Sequence, residues 1–131
     1  MPTKTSTDAD AHLNTMRGSN AAAFTPYIGL LTAVTNVLTG AVTETSYTSY
    51  ARQAVTFGAP STVGGKRKIA NSAPVVFPVS TGGTPTITHF GIYDAVSGGN
   101  LRKVVALAAS RVINLTDPPT FAAGDLGYTE E

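Results

Sequence analysis

Thr84-Pro-Thr-Ile-Thr-His-Phe-Gly-Ile-Tyr-Asp-Ala-Val-Ser-Gly-Gly-Asn-Leu-Arg-Lys-Val-Val-Ala-Leu107 decides the fold. It reads as two β-strands, Thr86 to Asp94 and Leu101 to Ala108, joined by a tight turn at Ser97-Gly98-Gly99-Asn100. Thr, Ile, Phe and Tyr in the first arm suit a pleated, half-buried surface. Gly98 and Gly99 supply the positive φ that hairpin turns require.

Outward from this hairpin the chain continues as short strands between turn signals. Pro26 to Val34 reads as a buried strand, and Thr35 to Thr48 as a Thr-rich loop with some strand. Tyr50 to Phe57 is a strand, and Gly58 to Gly65 a turn region. Lys66 to Ser72 and Val75 to Val79 follow, with Pro74 and Pro78 marking an edge or bulged segment. Arg111 to Leu115 is another strand. Asp117-Pro-Pro119 is a hard turn, and Phe121 to Tyr128 a final Gly-punctuated strand. About seven or eight short strands at this spacing predict an all-β, single-domain antiparallel β-sandwich.

The N-terminus reads differently. Residues 1–6 form an extended polar arm. Ser6 or Thr7 caps a short helix, Asp8 and Asp10 complement its dipole, and Gly18 ends it. His12, Leu13 and Met16 give it a narrow apolar face. Arm and helix occupy residues 1–20, and the sandwich residues 21–131.

Composition narrows the function classes. At 131 residues the size prior gives one domain. Charged residues make up 13%, roughly half the usual share, which suits either a hydroxyl-solvated surface or one covered by neighbours. A net charge of +1 gives no global field toward nucleic acid, and none is expected as a partner. There is no cysteine, so disulfide and thiolate–metal frameworks are excluded. No apolar run is long enough to span a bilayer, and the polar start carries no signal-peptide core, so no membrane partner is expected.

Nor does any constellation carry chemistry. His12 and His89 are the only histidines, too few for a His-based zinc set without carboxylates at ligand spacing. Asp8 stands four residues before His12, a spacing that permits pairing on a helix, although a solvated face is the simpler reading. No Gly-x-Ser-x-Gly elbow occurs, and Val63-Gly-Gly-Lys66 lacks phosphate-loop spacing. The carboxylates are scattered, mostly beside turn residues, rather than paired for glycosidase work. No catalytic residue, cofactor, metal or small-molecule substrate is therefore expected.

Candidate contact residues remain. Lys66-Arg67-Lys68 is the densest charge cluster, suited to edge protection, to an acidic patch on a neighbour or to nucleic acid, the last weakened by the lack of interleaved aromatic residues. Tyr47 is a candidate interface anchor, whereas Tyr50 is better read as core. Thr3, Lys4 and Thr5 suit an added β-strand on a neighbouring subunit. Ordering seven flexible residues costs on the order of 7–14 kcal/mol of backbone entropy, so residues 1–7 need an extensive tether.

Five blocks in order carry a resemblance. They are Ser49-Tyr-Ala-Arg-Gln-Ala-Val-Thr-Phe57, Asn71-Ser-Ala-Pro-Val-Val-Phe-Pro78, His89-Phe-Gly-Ile-Tyr-Asp94, Gly98-Gly-Asn-Leu101 and Pro119-Thr-Phe-Ala-Ala-Gly-Asp-Leu126. Residues 48–128 resemble a family of small tailed-phage virion proteins labelled tail-fibre-like, minor tail or minor capsid proteins. The resemblance implies a non-enzymatic building block of a virus particle, assembled in the bacterial host cytoplasm. Small size, the lack of a fibrous shaft and a tethered arm favour a capsid decoration (cement) protein, a trimer contacting the major capsid protein. A tail-fibre-like host-recognition module is the alternative, and a small glycan-active tail enzyme the next.

Overall fold

The Gly98-Gly99 hairpin lies at the edge of the largest sheet. A computed structural model describes residues 4–18 and 23–130 of the chain. Its hairpin strands are β7 (Thr86–Tyr93) and β8 (Leu101–Val112). They join β1 (Tyr27–Asn36) and β2 (Ala41–Glu44) in the antiparallel order β2-β1-β7-β8, and β3 (Gln53–Ala54) also pairs with β1. A second sheet runs β10-β5-β4, from Gly127–Thr129, Lys66–Ala70 and Ser61–Val63. A third pairs β6 (Val75–Val76) with β9 (Thr120–Phe121). One helix, α1 (Ser6–Met16), precedes them all.

Side-chain alternation along β1 explains the layering. Ile28 and Leu30 face the main core with Ile87, Phe90 and Ile92 of β7. Val75, Phe77, Phe121, Leu126 and Tyr128 close that core from the smaller sheets. Leu31 faces the other way, into a small cluster with Val37 and Val104. The result is the expected all-β sandwich with a short N-terminal helix.

Several boundaries shift for identifiable reasons. The strand expected over Tyr50 to Phe57 shrinks to β3, because the Tyr50 N–H is spent in a turn on the Tyr47 carbonyl. The strand expected from Arg111 begins as the far end of β8, whose register slips between His89↔Ala106 and Ile87↔Arg111. That bulge leaves Leu107 to Ser110 without partners on β7. Helix α1 starts one residue early: its cap is Thr5, whose hydroxyl accepts from the Asp8 N–H at 3.4 Å. Gly18 does end it, at φ +92°. The apolar face expected on α1 is not used, since Leu13 is 61% and Met16 83% exposed, and the residue it buries is Asp8.

The hairpin turn is held by Asp94. Its carboxylate accepts from the Asn100 N–H at 2.7 Å and from Arg102 Nε at 3.2 Å. Gly98 and Gly99 both sit at positive φ, +64° and +66°. Their surroundings differ. A Cβ on Gly98 meets open space, whereas one on Gly99 lies 2.5 Å from Asp94 Oδ1 and 2.7 Å from Ala95 Cβ. Gly98→Ala is therefore expected to cost about 1 kcal/mol for backbone strain alone, and Gly99→Ala about 2 kcal/mol or more. Chemical denaturation of both variants checks the order. Equal losses would show that the Asp94 contact is slack.

Candidate functional site

The N-terminal segment is bound to its own sheet, and polar contacts bind it. Lys4 forms an antiparallel bridge with Lys103 on the outer edge of β8. The Thr5 N–H donates to the Arg102 carbonyl at 3.1 Å, and its hydroxyl donates to the Leu101 carbonyl at 2.7 Å. The Ser6 N–H donates to the Leu38 carbonyl at 2.8 Å. Below them Asp8, 4% exposed, is paired with the Lys103 ammonium, and Lys4 is paired with Glu130 near the other end of the chain.

For residues 4–7 this corrects the expectation that the arm needs a neighbouring subunit as its tether. Residues 6 and 7 are helix, and residues 4 and 5 are tied to β8. The tether consists of main-chain bonds and ion pairs, so the absence of large apolar side chains is no obstacle. Thr3 lies outside the described residues. Thr5, at 3% exposure, has no surface to offer a partner.

Around this junction lies a hollow of about 410 Å³. Phe24, Pro60, Ile69 and Tyr128 supply its apolar lining. Asp8, His12, Lys103 and Glu130 also line it, together with Arg67 and Lys68. The fold thus brings two members of the basic triad to the place where Lys4 docks. Arg67 donates to Thr62 Oγ1 at 2.8 Å and to the Pro60 carbonyl at 3.1 Å, both neutral acceptors. Lys66 is exposed on the same strand. Both aromatic rings carry a cation on one face: Arg102 stands 4.7 Å from the Phe24 centroid, and Lys103 4.4 Å from that of Tyr128.

Charges in the hollow are mutually adjusted. The Glu130 hydrogen bond holds the Lys4 ammonium above the usual lysine range. Burial pushes the Glu130 carboxyl up, but the Lys4 hydrogen bond and the charges of Lys103, Lys4 and His12 outweigh it and hold the group low. His12 Nδ1 lies 3.9 Å from Glu130, while Asp8 faces Lys103, so the Asp8–His12 pairing that the spacing permits is not made.

Tyr47 sits elsewhere and is not an exposed anchor. It is 5% exposed, donates to the Pro78 carbonyl at 2.7 Å, and packs edge-on against Tyr50 at 5.4 Å. It lines a second hollow of about 480 Å³ beside the buried, unpartnered Thr45 hydroxyl. Tyr50 packs against the core, as read from the sequence. His89 lies within the sheet opposite Leu31 and Ala106, its Nδ1 2.8 Å from Thr88 Oγ1. Asp8, Lys103 and Glu130 were missed as contact residues. Nothing local marks them, because an acid in a first helical turn reads as a dipole complement.

One family model, described as Podophage GP4 fiber I protein gp80, matches residues 4–129. No curated protein matches the chain significantly.

The adjusted carboxylates give a pH signature. Asp94 is held low as well: burial raises it, and the Asn100 and Arg102 contacts more than offset this. Glu130 and Asp94 therefore contribute stability that is present above their unfolded values, about 4.3 and 3.9, and is lost as pH falls through the lower folded values. Glu130→Gln and Asp94→Asn are expected to lower stability at neutral pH and to flatten its decline below about pH 4. Urea midpoints against pH measure both effects. A decline as steep in the variants as in the parent would assign acid sensitivity to other groups.

Proposed function

The chain belongs to the Podophage GP4 fiber I protein gp80 family, and from that membership we propose a non-enzymatic accessory subunit of the phage fibre that works through protein–protein contacts. The carrying observation is the extent of the match, which takes in α1, all three sheets and the Lys4 contact in one unit. The family description names a fibre, and the fibre reading takes its lead from that word. The arm, offered above as a reason for a capsid partner, is tied to its own β8 from Lys4 onward and no longer argues for one. Capsid decoration stays as the second reading, favoured by the lack of a fibrous shaft among the described residues. Major capsid protein contacts and a trimer belong to that reading.

Low charge suits a subunit with covered surfaces, and the Asp8–Lys103 and Lys4–Glu130 pairs tie the N-terminal segment to the sheets. Cryo-EM of the intact particle tests the placement. Density for this domain at a few sites on the tail is the expected result, and hundreds of copies on the head would move the protein to the decoration reading. The non-enzymatic reading has its own check. Purified protein incubated with host cell-wall polysaccharide should release no sugar. Turnover lost in Asp94→Asn or Glu130→Gln protein that remains folded would overturn it.

A further inference from the structure

The cation-lined hollow and a loop far from it are complementary. Asp8 and Glu130 are already matched to Lys103 and Lys4, while Arg67 and Lys68 have no carboxylate within ion-pair distance among the described residues. The hollow thus combines an apolar floor with unmatched positive charge. A sugar is the poorer occupant, because the Phe24 and Tyr128 rings that would stack on it each carry a cation on one face. An apolar side chain flanked by a carboxylate fits both features.

This chain presents such a group itself. Val112, the last residue of β8, is 51% exposed, Leu115 beyond it is 49% exposed, and Asp117 is exposed with no hydrogen bond or ion pair among the described residues. The loop is held in shape. Thr116 has φ +64°, its N–H donates to the Ser80 carbonyl at 3.3 Å, and Pro119 accepts from the Phe77 N–H at 2.9 Å. Val112 lies about 30 Å along β8 from Lys103, at about 3.3 Å per residue, so the two surfaces mark opposite ends of the strand.

We infer that the Leu115–Asp117 loop of one copy docks in the Arg67/Lys68 hollow of the next, making a head-to-tail contact between copies. Such a contact is not self-complementary, so it propagates into a ring or a filament instead of stopping at a dimer. The inference deepens the reading of this protein as a fibre subunit by naming its partner as a second copy. Its test uses purified protein and is independent of where the domain sits on the particle.

Sedimentation velocity over a wide concentration range is the measurement, with thermal melts to confirm folding. The parent protein should self-associate, more weakly as salt rises. Lys68→Glu and Asp117→Lys should each raise the Kd by about ten-fold or more, and the double charge swap should recover most of the loss. Leu115→Asp should weaken association without touching the cations. A parent that stays monomeric at every concentration overturns the inference. So does association that ignores both reversals, or a swap that fails to rescue. Any of these results leaves the cryo-EM placement to be decided separately.

Discussion

Arg52 holds the larger sheet to the turn that closes it. Its guanidinium grips Glu44 at the end of β2 through two 2.9 Å bonds. The remaining terminal nitrogen donates to the Ala95 and Gly98 carbonyls of the hairpin turn, again at 2.9 Å. The planar head lies 3.5 Å from the Tyr93 ring centroid. One side chain therefore joins β2, the segment before β3, the end of β7 and the turn. Its fork geometry makes this possible, and a lysine has no equivalent. Tyr50 completes the knot by donating to Glu44 at 2.5 Å while accepting from the Leu30 N–H. Burial first, and then Glu44, push the Tyr50 hydroxyl up, and burial raises that of Tyr93 to about 12, so both phenols are neutral at physiological pH.

That knot imposes a steric constraint on β1. A Cβ at Gly29 would lie 2.7 Å from the Tyr93 ring and 2.8 Å from Glu44 Oε2. The glycine is there for close approach, not for a turn, and it lets two strands and an ion pair share one layer. The second charged junction continues from the same hairpin. Arg102, beside Asp94, also faces Asp8 at 3.9 Å, so the turn and the docked helix are joined through one arginine. Removing one member of such buried pairs leaves a charge without its partner, which costs far more than the pair itself contributes.

How much of this was legible follows from the range of the signals. The hairpin, β1 and the helix stop at Gly18 were readable because glycine placement and β-rich runs are local. The main sheet and the sandwich class followed from them. Val75 to Val79 and Phe121 to Tyr128 read as strands, but the pairing of β6 with β9, and its length of two residues, were not readable, since the pairing rests on a partner far along the chain. The knot was hidden for the same reason. Glu44 sits in a Thr-rich loop and Arg52 in a stretch that reads as strand, and only the closed fold brings them together. Of the candidate contact residues, Arg67 and Lys68 do reach one hollow. The burial of Tyr47 was not readable, because a tyrosine beside threonines looks half-exposed until Pro78 and Tyr50 meet it.

The Lys4–Glu130 contact brings residues near both ends of the domain to one spot. A fold whose ends meet can be spliced into the loop of another protein without stretching either, because entry and exit share one gate. It can also be circularly permuted there with a short bridge. The same closeness means that anything fused at either end leaves from one side, so the opposite pole, with its rigid Pro118-Pro119 loop, stays clear of the attachment. In mechanical terms, a pull applied across the two ends loads an ion pair and the edge of β8 first.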